Sequence, residues 1–337
     1  MRARVILLVA VLVGGSAAAA DEPWVPMESG VTATLVSIWG SGPEDVFVGG
    51  TGGTMLHYNG AGWSVMTSGT SSTVTGIWGA GTNPVYATTD GGLVLRFDGS
   101  SWSIVCWAEP LQGIWGSGTN DIFAVGWPGE APHYDGSGWS FTYSGTDEAL
   151  QAVWGSGPGN VFAVGSAGAI TRFDGSTWSS MTSVTVVQLN GIWGSGPADV
   201  FAVGENGTIL HFDGFGWAAM ASGTSVRLNG VWGSGPADVY AVGSNGTILH
   251  YDGASWSSVV SGTVEQLCDI WGSGNGELFV VAANGLILHR ETPAPPAPSP
   301  QPRCGGEAGA VNLIGFYVLC WLGLAAMRWG RRVARTP

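Results

Sequence analysis

The chain of 337 residues contains no lysine; its eleven basic residues are all arginines, set against 24 acids. Between Asp21 and Arg303 there are 23 acids and five arginines, a formal charge of −18. A surface of that sign repels phosphate backbones, so nucleic acid is excluded as a partner. Charged residues are only 10% of the chain and aromatics 11%, which excludes a disordered polyelectrolyte. The four cysteines (Cys106, Cys268, Cys304, Cys320) lack paired spacing, so neither a disulfide framework nor a zinc ribbon is expected. Gly-x-Ser-x-Gly, His-Glu-x-x-His, Gly-x-x-x-x-Gly-Lys and the Asp-x-Asp-x-Asn-Gly calcium loop are all missing. No catalytic residue, cofactor or metal is expected on these grounds.

Long apolar runs occur only near the two ends. Met1-Arg2-Ala3-Arg4, an apolar run from Val5 to Val13 and an Ala-x-Ala site before Asp21 read as a signal peptide over 1–20, cleaved after Ala20. Residues 292–303 carry six prolines and read as an extended stalk. Residues 309–327 are apolar apart from Asn312, about 28 Å long as a helix and enough to span a membrane. Arg328, Arg331, Arg332 and Arg335 follow at once and would stay cytoplasmic, which exports the domain before the stalk.

Cys304, a short spacer, one span and a terminal arginine cluster, together residues 304–337, resemble the C-terminal sorting signals of myxobacterial surface proteins, the MYXO-CTERM type. In that family the cysteine lies at the processing site, so the resemblance implies processing at Cys304 and display on the cell surface. Cys320 and Trp321 inside the span depart from the pattern. A plain single-pass anchor is the alternative, and it too places the domain outside the cytoplasm.

Between the two ends the chain repeats. A Trp-Gly pair recurs at Trp39, Trp78, Trp115, Trp154, Trp193, Trp232 and Trp271, in steps of 39 residues with a single step of 37. A second series runs Trp24, Trp63, Trp102, Trp139, Trp178, Trp217 and Trp256, and so begins one repeat early. Each copy reads as four short strands, in the sixth Leu228–Gly233, Val239–Gly243, Thr247–Tyr251 and Trp256–Val260, with Asn245-Gly246 as a hairpin turn. Four strands per ~40 residues is the blade of a β-propeller. The last copy, Leu267 to His289, lacks a fourth strand, and the segment around Trp24 can supply it. The reading is an all-β, seven-bladed propeller over residues 21–291, closed by an N-terminal strand, with one transmembrane helix beyond it.

The paired tryptophans are expected to fill the wedge between blades, with glycine allowing close approach. Asp98, Asp135, Asp174, Asp213 and Asp252 open an Asp-Gly-x-x-Trp turn that resembles the Asp-box of sialidase-type propellers, one residue shorter. All five histidines (His57, His133, His211, His250, His289) occupy one repeat position, and Arg96 and Arg172 fill it in the other two copies. One histidine per blade keeps these side chains too far apart to share a metal. A donor to a turn or carboxylate is the expected role, similar to that of the histidine in WD40 blades.

Residues that break the repeat single out one face. Trp107 and Trp127 are the two tryptophans of the exported part outside both series. Trp107 lies in Cys106-Trp107-Ala108-Glu109-Pro110, read as the connection into the third copy, and Trp127 in the turn Trp127-Pro128-Gly129-Glu130. Turns between second and third strands share a face with blade-to-blade connections, so Trp107, Glu109, Trp127, Glu130, Asp147 and Glu148 should form an aromatic, acidic binding patch. The repeat breaks are read as confined to such turns and connections, leaving the channel regular.

Over residues 22–291 the repeat resembles bacterial surface propeller proteins and, more loosely, the propellers of photosystem assembly factors. The expected role is non-catalytic: adhesion, envelope assembly or capture of a protein or glycan at the cell envelope, by a monomeric domain. A glycan-active hydrolase or lyase with its site at the channel mouth is the rival, and a structural surface coat the third possibility.

Overall fold

The computed structural model describes residues 23–291. They form seven four-stranded antiparallel sheets, each packed on the next around a ring that closes between the seventh and the first. The first strand of each blade lines the axis and the fourth lies at the rim. Blade 1 is Leu35–Gly42, Asp45–Gly50, Met55–Tyr58 and Trp63–Met66. In blade 6 the strands are Leu228–Gly235, Asp238–Gly243, Ile248–Tyr251 and Trp256–Val259, so the first two run slightly longer than the sequence pattern indicates.

The chemistry of each strand follows from what covers it. Second strands such as Asp-Val-Phe-Ala-Val-Gly are apolar without alternation because both faces are covered by neighbouring blades; Val200, Phe201, Ala202 and Val203 are all buried. The next turn takes residue 206, 245 or 284 to φ near +58°, which asparagine tolerates. Lower-face turns are capped by aspartate: Asp174 Oδ1 accepts the amides of Ser176 and Thr177 at 2.9 Å. Those bonds hold the Asp174 carboxyl down at about 2.

Blades join through the two tryptophan series. Each Trp-Gly indole lies on the corresponding glycine of the following blade: a Cβ on Gly194 would sit 2.6 Å from Trp154, and one on Gly79 would sit 2.7 Å from Trp39. The outer tryptophans look the other way. Trp102 meets Phe47, Trp178 meets Phe123 and Trp217 meets Phe162, all in T-shaped geometry with the preceding blade. That geometry sets the positive edge of one ring against the negative face of the other.

Blade 7 has three strands from the C-terminal side, Leu267–Gly272, Glu277–Ala282 and Ile287–Glu291, and a fourth from the N-terminal side, Val25–Met27. Val25 pairs with His289 and Met27 with Ile287. Trp24 is buried in the cluster between blades 6 and 7, and the Arg290 guanidinium lies over its ring. The expected signal peptide with Ala20, the stalk over 292–303, Cys304 and the apolar run over 309–327 lie outside the described residues.

Candidate functional site

The repeated histidines stack on the aromatic residue of the second strand and bond the acid that opens it. His57 Nε2 is 2.7 Å from Asp45 Oδ1, and His133, His211 and His250 meet Asp121, Asp199 and Asp238 at 2.6–2.8 Å. The other carboxylate oxygen accepts a serine hydroxyl, as from Ser195 to Asp199. Aspartate thus stands between serine and histidine. The imidazole does not touch the hydroxyl, so it has no direct route to the serine proton. In blade 4 the set changes together: Arg172 replaces histidine, bonds Asn160 at 2.7 Å and lies over Phe162. In blade 2 Arg96 takes the histidine's place in the repeat and Pro84 takes the acid's.

On the upper face, backbone bonds tie three repeat-breaking segments together. The Trp127 amide donates to Pro110 O at 3.0 Å, and the Ser144 amide donates to Gly129 O at 3.2 Å. The turn carrying Trp127 is therefore clasped between the connections that enter and leave blade 3. Trp127 is 54% exposed, and Glu109, Asp147 and Glu148 are exposed beside it in sequence or across these bonds. Glu130 is half-buried near Cys106; burial first, with the Glu130 charge adding, pushes that thiol up.

Trp107 stands apart from this group. It is the last residue of the outer strand of blade 2, Trp102–Trp107, and not part of the connection. It pairs with Leu93, whose side chain joins the core between blades 1 and 2. Paired residues share a face, so Trp107 leaves the sheet away from blade 3, 68% exposed. No ring contact joins it to Trp127 among the described residues.

Two aromatics escaped the sequence reading. Phe141 and Tyr143 lie on one face of the outer strand of blade 3, 54% and 61% exposed. The Tyr143 hydroxyl donates to Asp147 Oδ1 at 3.1 Å, and this bond pushes the phenol up. Blades 4 and 5 carry Ser180 and Ala219 where Phe141 stands, a departure readable in the repeat.

The channel is a cavity of about 390 Å³ walled by the first strands of all seven blades. It is not regular. Asp269 occupies the place held by Gly76, Gly113, Gly191 and Gly230 in other blades. Its oxygens accept the amides of Ile270 at 2.9 Å and Ile38 at 3.2 Å. It touches the channel yet is surrounded by protein, and burial pushes it up to about 7 against those two bonds. This corrects the expectation that repeat breaks avoid the channel. Cys268 lies beside it, its thiol pushed by burial to about 11, and both Cys106 and Cys268 are free.

The fold is that of known propellers. A solved structure of YCF48 bound to D1 peptide matches with a TM-score of 0.69 at 17% identity, covering 82% of this chain and 97% of that one. YCF48 from Cyanidioschyzon merolae matches with a TM-score of 0.66 at 17% identity, covering 80% and 98%. The WD40 propeller domain of Doa1 matches with a TM-score of 0.68 at 8% identity, covering 80% and 96%. At these identities the likeness is one of fold alone. No family model and no curated protein matches the chain.

Proposed function

We propose that this propeller is a non-catalytic binding module, exported and held at the cell surface, that captures a protein segment on the upper face of blade 3. The observation that carries the reading is the set of exposed aromatics Trp127, Phe141 and Tyr143, with Tyr143 braced by Asp147 and further acids at the rim. Exposed aromatics beside polar groups suit a protein partner, because they bury large area at little entropic cost. The peptide-bound YCF48 supplies precedent for the fold in such a role. Trp107 would serve as a second contact on the neighbouring rim.

The test is a pull-down from cell envelope with the full chain beside Trp107→Ala/Trp127→Ala and Phe141→Ala/Tyr143→Ala variants. Partners lost with Phe141→Ala/Tyr143→Ala support recognition on blade 3, and partners lost only with Trp107→Ala/Trp127→Ala call for the two single variants to separate blade 2 from blade 3. Partners retained by all variants sink the site, and no partner for the parent chain favours a coat role.

A further inference from the structure

Blade 7 differs from the other blades at its lower rim, and the differences converge on three side chains. In blades 1, 3, 5 and 6 the acid–histidine pair is saturated: one aspartate oxygen meets the imidazole, and the other accepts a serine. In blade 7 the acid is Glu277, whose Oε2 is 3.3 Å from His289 Nε2. The serine at the equivalent place, Ser273, turns to the Asn275 amide instead.

A second substitution falls at residue 291. Blades 2 to 6 have aspartate there, and it caps the turn into the fourth strand; Asp252 accepts the amides of Ala254 and Ser255. Blade 7 takes its fourth strand from the other end of the chain and needs no such turn. Glu291 is thereby released from capping and extends beside the pair. Ligand atoms of Glu277, His289 and Glu291 all lie within 4.8 Å of one another.

The charge balance points the same way. Two carboxylates with a neutral imidazole carry two negative charges, the complement of a dication. The Arg290 guanidinium lies over Trp24 and Tyr240. Ligands ~2.1 Å from a tetrahedral ion stand about 3.4 Å apart, so a small contraction of the three side chains would close the site.

We propose that Glu277, His289 and Glu291 bind a divalent transition-metal ion of the zinc or manganese class. One imidazole nitrogen and two carboxylate oxygens suit these borderline-to-hard ions, with water completing the shell. The ion would tie the second and third strands of the blade that joins the two ends of the chain. The proposal departs from the expectation of no metal, which rested on cysteine spacing, on missing metal motifs and on histidines of different blades, and did not weigh acids beside a histidine within one blade.

The test starts from the full chain stripped with chelator. Titration with zinc chloride by calorimetry and with manganese chloride by electron paramagnetic resonance should each show one saturable site, and the melting temperature should rise with either ion. Glu291→Gln alters an exposed side chain, so it preserves the fold; it should weaken binding about tenfold or more and reduce the thermal shift at a fixed metal concentration. Glu277→Gln should do the same, whereas His250→Gln in blade 6 should leave binding intact. No saturable binding by the parent chain, or binding unchanged in both glutamine variants at Glu277 and Glu291, overturns the proposal.

Discussion

The carboxylate of Asp269 in the last blade accepts the amide of Ile38 in the first, at 3.2 Å and across 231 residues of sequence. The pairing of Val25 with His289 completes blade 7 at its outer edge; this bond closes the ring on the axial side. Burial raises Asp269 from 3.8 to about 7. A folded-state value above the unfolded one favours the protonated form in the fold. The contribution is therefore full below 3.8 and is lost as pH climbs through about 7. Denaturant unfolding across pH 4 to 8 should show the parent chain losing stability relative to Asp269→Asn over that window; parallel curves would refute it.

The acid side has the opposite sign. Asp98, Asp135 and Asp174 are held at about 2 by the amides and hydroxyls they cap. Their contribution is present above 3.8 and lost as pH falls through about 2. Asn59 makes the same two amide bonds in blade 1 without titrating there. Replacing all three aspartates by asparagine should flatten the acid limb of a circular dichroism titration while leaving the fold at pH 7 unchanged.

Glycine at the blade interface is a matter of space. A methyl on Gly194 would meet Trp154 at 2.6 Å and the Asp199 carbonyl at 2.7 Å, while nothing lies within 4 Å of one on Gly196. Gly194→Ala should cost about 1–3 kcal/mol. Gly196→Ala should stay within about 0.5 kcal/mol. Equal melting temperatures for the two would show that the blades slide apart freely.

Two kinds of tryptophan should separate in one experiment. Trp24→Ala empties a buried place in the closing blade and should cost about 3–5 kcal/mol. Trp107→Ala with Trp127→Ala removes exposed rings and should change stability by about 0.5 kcal/mol or less. Chemical denaturation reads both; a large loss in the double variant would make those rings structural.

The ring was legible because the tryptophan spacing and the one-repeat offset of its second series admit few other architectures. What escaped depended on bulges. Leu-Cys-Asp-Ile-Trp-Gly in blade 7 stands openly against Leu-Asn-Gly-Val-Trp-Gly in blade 6. That this aspartate meets the axis follows from a register shift between Leu267 and Asp269, which simple alternation does not reveal. A shift between Val94 and Leu95 likewise resets the outer strand of blade 2 and turns Trp107 to its far side. Phe141 and Tyr143 escaped for another reason: the departure from Ser180 and Ala219 stands in the repeat, but alternate aromatics along a strand read as ordinary packing until both prove exposed.

Val25 opposite His289 has a geographical consequence. Because the two strands run antiparallel, the polypeptide enters and departs at a single corner, on the lower side of blade 7. Blade 3 lies across the ring, and its aromatic rim belongs to the upper side. Residues 23 and 291 therefore share the lower side of the ring, and the turn that carries Trp127 belongs to the upper side of another blade.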